Sequence, residues 1–171
     1  MARSGKIVNE GTVIRVALSV RRESAPSVKS ITVIGSGFSE RSDPAALVIG
    51  LTGVALSKNR KTLYVADSLN NPIAAISATH SPGSRAPTRG STFSIGGVLN
   101  DPLGMALGTN GDILTANGND GNSVVTKPNG VQSATILLDP AGTGVLFGLT
   151  AVPGQGVYFV DDGTNTLDLL H

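Results

Sequence analysis

One unit recurs three times along the chain, and this repeat restricts the fold more than any other feature. Its first copy reads Gly53-Val54-Ala55-Leu56, then Leu63-Tyr64-Val65-Ala66-Asp67, then Asn71-Pro72-Ile73. The second reads Gly104-Met105-Ala106-Leu107, then Ile113-Leu114-Thr115-Ala116-Asn117, then Asn122-Ser123-Val124. The third reads Gly148-Leu149-Thr150-Ala151, then Val157-Tyr158-Phe159-Val160-Asp161, then Asn165-Thr166-Leu167. From the leading glycine to the acid or amide there are 14, 13 and 13 residues, and from there to the next Asn 4, 5 and 4. The unit returns after 51 and then 44 residues, the length of a four-stranded propeller blade.

Each unit predicts a strand A at the Gly-Val-Ala-Leu segment, a strand B ending on the acid or amide, and a strand C after the Asn. A strand D is expected near residues 92–95 and 131–138. Residues 12–18 and 29–34 add two strands that resemble C and D of a blade without A and B, and the third unit has no D. The expectation is therefore all-β: thirteen strands in four-stranded antiparallel blades, a little over three of them, with no helix longer than two turns. The predicted layout is one partial propeller domain over 1–171, made of a half blade at 11–35, blades at 50–97 and 101–138, and an incomplete blade at 145–171. Val54, Val65, Met105, Leu114, Leu149 and Phe159 are expected between sheets. Small residues such as Ala55 and Ala106 suit inner strands, where neighbouring sheets converge.

Composition agrees with a packed domain. Hydrophobic residues make up 40% of the 171 and charged residues 15%, which separates the chain from disordered sequences. Aromatics are only 4%, with no Trp, so the core has to be aliphatic. Asn110-Gly111, Asn117-Gly118 and Asn129-Gly130 predict tight turns with positive φ at glycine. A net charge of +1 gives no long-range pull toward nucleic acid. No apolar run approaches the ~18 residues of a membrane span, and Met1 to Lys6 is not followed by the apolar segment of a secretory signal. Neither nucleic acid nor membrane is expected as a partner. With no cysteine, disulfides and thiolate metal sites are excluded.

Gly-Val-Ala-Leu followed by Leu63-Tyr64-Val65-Ala66-Asp67 and Asn70-Asn71-Pro72-Ile73 resembles the NHL repeat. The match extends over 50–77, 101–138 and 145–171, and more loosely over 11–35. Ile34-Gly35-Ser36-Gly37-Phe38 and the segment from Tyr158 to Asn165 are similar to the C-terminal half of bacterial NHL-repeat proteins of unknown function. The resemblance implies a six-bladed propeller, closed where terminal strands share a blade, and full-length relatives that are exported to the periplasm or secreted. Two positions depart from the pattern. Leu51 stands where the family usually has Pro, and Pro72 where a basic residue often precedes the strand-C Ile, so that strand begins with one ladder donor missing.

Asp67, Asn117 and Asp161 are the candidate rim or ligand-facing residues, one per unit. The competing reading is structural, because a short polar side chain at the B–C turn caps backbone amides. The run from Asn117 to Asn122 is rich in oxygen but has a single carboxylate, against the several that calcium usually takes. No cofactor is expected, with calcium the alternative weighed for this run. Asp161 and Asp162 are adjacent and should point to opposite faces. His80 and His171 are the two histidines, too few for a zinc site. Gly35-Ser36-Gly37 lacks the Lys-Ser/Thr of a phosphate loop, and no G-x-S-x-G nucleophile motif occurs. The basic residues Arg21-Arg22, Lys58 to Lys61, and Arg85 with Arg89 fall on separate turns, which suits a solvated rim rather than an RNA track.

These readings point to a non-catalytic propeller scaffold for protein or small-molecule binding, part of a longer NHL-repeat protein. The alternative is a hydrolase or lyase of the lactonase-like propeller type, active only at full length. Self-association is also expected, because the strand at 166–170 offers an unpaired apolar edge.

Overall fold

A computed structural model describes residues 5–79 and 88–171. His80 and Arg85 lie outside the described residues. Among those described there is no helix. The first sheet has the order β1-β2-β3, formed by Val8–Ser19, Ser27–Asp43 and Leu47–Ile49. Next comes a four-stranded meander of β4 (Leu51–Leu56), β5 (Thr62–Asp67), β6 (Pro72–Ser77) and β7 (Ser91–Ile95). A second meander holds β8 (Pro102–Leu107), β9 (Ile113–Asn117), β10 (Asn122–Thr126) and β11 (Gln132–Leu137). The last sheet has β12 (Leu146–Val152), β13 (Gly156–Asp161) and β14 (Thr166–Leu170). Every pairing is antiparallel. The last three sheets are the three sequence units, with strands A to D laid side by side in the first two and A to C in the third.

The repeat is visible at the level of single bonds. The residue after each strand-B acid or amide donates its N–H to the carbonyl of the residue before strand A. Ser68 donates to Gly50, Gly118 to Asp101 and Asp162 to Val145, each at 2.8 Å. Immediately before strand C the backbone turns left-handed, at Asn71 (φ 61°), Gly121 (φ 67°) and Asn165 (φ 58°). Asn and Gly tolerate that conformation best. Gly121, not Asn122, is therefore the structural counterpart of the other two, and the uneven Asn spacing in the sequence disappears.

The expected turn chemistry holds at Gly111 (φ 93°) and Gly130 (φ 85°). At Gly118 it does not, because that residue has no positive φ. A Cβ there would lie 2.7 Å from the Asp101 carboxylate and 2.7 Å from the Leu103 side chain. Glycine is needed at 118 for room.

Sheets stack face to face, and each interface has its own core. Ala55, Ala66 and Ile73 of one meander pack against Met105, Ile113 and Val124 of the next. Tyr64 and Phe93 flank them with ring centroids 4.5 Å apart. On the other side of the second meander, Ala116 meets Leu146, Val145 and Phe159, with Leu149 and Leu170 beside them. The first meander's opposite face is covered by the N-terminal sheet through Ile34 and Phe38, which pack on Val65, Ala74 and Ile76. Inner strands approach closely because of their leading glycines. A Cβ on Gly53 would collide with the Leu103 carbonyl, and one on Gly104 with the Phe147 carbonyl.

Three expectations need correction. There are fourteen strands among the described residues rather than thirteen. The N-terminal pair extends to Val8–Ser19 and Ser27–Asp43, carried past its predicted ends by bulges that keep the ladder going. Of the six residues expected between sheets, Val65, Met105 and Phe159 are buried, and Leu114 and Leu149 are half-buried. Val54 is 50% exposed. It pairs with Val65 and so shares that face of the sheet. The N-terminal sheet covers this face over Val65, Ala74 and Ile76 and reaches Leu51 at the start of the innermost strand, but leaves Val54 and Leu56 farther along that strand open.

Candidate functional site

The turns joining strand B to strand C lie at one end of the sheets, together with the loops that lead into strand A. Asp67, Asn117 and Asp161 sit at this end, each paired with the first residue of its strand A: Leu51, Pro102 and Leu146. All three are buried, at 5%, 0% and 6% exposure, just beneath the rim. No hydrogen bond among the described residues links any two of them.

Each side chain is engaged with nearby backbone. Asp67 accepts from the N–H groups of Leu69 (3.0 Å) and Asn70 (3.2 Å) through Oδ1, and from the Asn70 amide through Oδ2. Asp161 accepts from Gly163 N (2.8 Å) and Thr164 N (3.1 Å). Burial pushes the Asp161 carboxyl up, but hydrogen bonds from Thr164 and Gly163 outweigh it and hold the group below the ordinary carboxylate range. Asn117 works differently. Its Oδ1 accepts from Asn100 N (3.1 Å), and its Nδ2 donates to the Val98 carbonyl (2.8 Å) and to Asp120 Oδ2 (3.2 Å). An amide both donates and accepts, so it can tie the incoming loop to the turn. Asp120 then caps the turn itself, accepting from Asn122 N at 3.1 Å. Asp162 is exposed while Asp161 is buried, as adjacent strand positions require.

Among the described residues, clefts open at this end. One of about 360 Å³ lies where the N-terminal sheet meets the first meander, lined by Ser39, Asp67, Asn70, Arg89 and Thr92 over the buried Phe38. Another, also about 360 Å³, lies between the first and second meanders and is lined by Arg41, Ser68, Asn71, Asp101 and Asn119. Asn117 and Asp161 line neither of them.

Asp101 is the residue that sequence reasoning missed. It immediately precedes β8 in a left-handed conformation (φ 57°), and its N–H donates to Asn71 Oδ1 at 2.7 Å. Burial raises its carboxyl above the ordinary value, opposed by the nearby Ser68 hydroxyl, which itself donates to the Gly50 carbonyl at 3.1 Å. The equivalent positions in the other units are Gly50 and Val145, so Asp101 is no part of the repeat. Its one signal in the sequence is that difference, a carboxylate where the other units have apolar residues. Among the described residues, no group of three or more His, Cys, Asp or Glu side chains is placed to hold a metal ion.

No family model and no curated protein sequence matches this chain. Its shape does match solved structures. A chain in the crystal structure of a nidogen/laminin complex superposes with a TM-score of 0.62 at 20% identity, over 95% of this chain and 54% of that one. Selenomethionine-substituted virginiamycin B lyase from Staphylococcus aureus superposes with a TM-score of 0.53 at 12% identity, over 98% of this chain and 59% of the lyase. A catalytically inactive variant of that lyase, solved with quinupristin, gives 0.52 at 13% identity, over 90% and 54%. At these identities the likeness establishes the fold, a set of β-propeller blades. The chain spans a little over half the length of each of these structures.

Proposed function

We propose that the chain is a non-catalytic propeller scaffold that binds a protein or small polar ligand at the end carrying the B–C turns. The observation behind this reading is what the polar groups at that end are doing. A general acid or base must present its proton-transfer atom to the substrate. Asp67, Asn117 and Asp161 instead direct theirs at backbone and side chains of their own turns and loops. In this reading they serve the ligand by fixing the loops that meet it. Among the groups at the surface are those of the Asp101 cleft, lined by a carboxyl, a guanidinium, two amides and a hydroxyl. That mixture donates and accepts within one small space, which suits a polypeptide backbone or a polar small molecule. Loops held by a rigid sheet scaffold are the usual seat of recognition. The nidogen/laminin structure is an instance of this fold in a protein–protein complex. No cofactor takes part in this reading.

The test is a selection of ligands from a displayed random peptide library, with each hit mapped by amide hydrogen exchange. Protection at 68–71, 100–101 and 118–121 is expected, with binding weakened at least tenfold by Asn119→Asp or Arg41→Ala. Hits that protect only the opposite turns, near Lys58 and Asn110, contradict the proposal. So does turnover of a lactone or ester panel above background that is lost in Asp101→Asn. A calcium titration read by thermal shift addresses the metal alternative, and stabilisation by several degrees counts against a cofactor-free site.

A further inference from the structure

The arrangement of the inner strands repeats, and its last step has an open side. Gly53, the third residue of β4, lies against the backbone of β8: a Cβ there would meet the Leu103 carbonyl and come within 2.8 Å of Met105 N. Gly104, the third residue of β8, lies in the same way against β12, with a Cβ meeting the Phe147 carbonyl and Leu149 N at 3.1 Å. Gly148 holds the same position in β12. Among the described residues, a Cβ there would find only Val160 Cγ2, at 4.0 Å. The face of the last sheet that points the same way is apolar and exposed. Val160 pairs with Leu167 across it, at 39% and 66% exposure, and Phe147 stands beside them at 46%.

The opposite end of the stack has the complementary vacancy. On the face of the first meander that meets the N-terminal sheet, Leu63, Val65 and Ile76 are covered, whereas Val54 and Leu56 of the innermost strand are 50% and 41% exposed. The uncovered ground is the place of an inner strand from a preceding sheet. In each of the two internal steps, that place is taken by the strand whose leading glycine is pressed onto the next.

We infer that a second copy of this chain supplies the missing neighbour, its β12 sheet lying on β4 so that Gly148 of each copy meets the Thr52 carbonyl of the other. Thr52 precedes Gly53 as Leu103 precedes Gly104 and Phe147 precedes Gly148, so at the inner strand the new contact repeats the two internal ones, while over β5 and β6 the N-terminal sheet already covers Val65, Ala74 and Ile76. Three properties select a second copy. The two surfaces belong to the same chain and are both apolar, and Val54, Leu56, Val160 and Leu167 carry no charge. The chain fills 54% of the length of the nidogen/laminin structure it superposes on, which leaves room for one more arc of its own size. Two arcs related by a two-fold axis provide six inner strands and close, whereas a head-to-tail contact that does not close grows into a fibre.

Sedimentation velocity with light scattering on the 171-residue chain tests this. The expected particle has twice the 17.3 kDa chain mass. Gly148→Ala places a methyl group where the partner carbonyl lies, in a spot with free space in the single chain, and should weaken the dimer at least a hundredfold with an unchanged far-ultraviolet circular dichroism spectrum. Leu167→Asp, on the same face and outside the glycine contact, should do the same and guards against a folding defect peculiar to position 148. A monodisperse wild-type monomer overturns the inference. So do assemblies larger than a dimer, and so does a dimer that survives both substitutions.

Discussion

Val54 and Ala55 are neighbours in one strand and live in different surroundings. Ala55 faces the second meander and is sealed, at 5% exposure, under Met105 and its neighbours. Val54 faces the N-terminal sheet and is half open. The sealed face has a full four-stranded partner, with a core that runs from the innermost strand out to Val124 on β10. The other face is covered over β5, β6 and the start of β4 at Leu51, and is open along the rest of β4 at Val54 and Leu56. Burial in a stack of sheets is thus decided less by a residue's own character than by how far the neighbouring sheet extends toward the axis. A valine is exposed and an alanine buried, against their sizes, because one neighbour is whole and the other is not.

The largest expected effect sets the two faces directly against each other. Ile113→Ala removes a fully buried side chain from the sealed interface and should cost about 2–5 kcal/mol in urea unfolding. Val54→Ala, measured on dilute monomer, should cost no more than about 0.5 kcal/mol, as for an ordinary surface change. Equal losses would mean that the two faces do not differ.

A smaller effect is expected at the turn that borders the half-covered face. Asp67→Ala leaves two backbone N–H groups and the Asn70 amide without their acceptor, and should destabilise the chain by about 1–3 kcal/mol. Asp67→Asn keeps one acceptor oxygen and should recover part of that loss. Full stability in Asp67→Ala would remove the capping role assigned to it.

The smallest effect lies across the sealed interface, at Asp101. Its carboxyl is raised by burial, so the folded state holds the proton more tightly than the unfolded chain does. The stabilising preference is present at pH below the unfolded value of 3.8 and is lost as pH rises through the folded value. At neutral pH the charged group is therefore a liability for the fold. Asp101→Asn, which tolerates the left-handed backbone equally well, should raise the melting temperature slightly at pH 7, with the gain vanishing as pH falls below 3.8. A gain that persists in acid would show that desolvation is not its source.

Much of this architecture was legible in the sequence, because the repeat ties each strand to a fixed marker. The leading glycines, the strand-B acids and the turn glycines 111 and 130 announce where strands begin and end, and strands B and C fall where they were placed. The misreadings have a common cause. Val54 satisfies every local rule for a buried strand residue, and its exposure depends on a sheet some twenty to forty residues earlier in the chain. Asn117-Gly118 has the composition of a positive-φ turn, but the glycine there answers to Asp101 and Leu103 reaching in from the preceding loop. The candidate site divides along the same line. The places of Asp67, Asn117 and Asp161 at the ends of strand B could be read because they repeat. Asp101 could not, because it stands outside the repeat and gathers its cleft partners from β2, from the B–C turn of the first meander and from the B–C turn of its own sheet.

The most direct test of the account is to place one methyl group at the third residue of each inner strand and compare Gly53→Ala, Gly104→Ala and Gly148→Ala by urea unfolding at concentrations too low for association. The first two would drive Cβ into backbone carbonyls that cannot move aside, and each should lose at least about 1–3 kcal/mol. The third meets open space and should lose no more than about 0.5 kcal/mol, the range of a surface substitution. Comparable losses at all three positions, or none at 53 and 104, would contradict the repeated inner-strand contact on which the fold, the open face and the proposed dimer all depend.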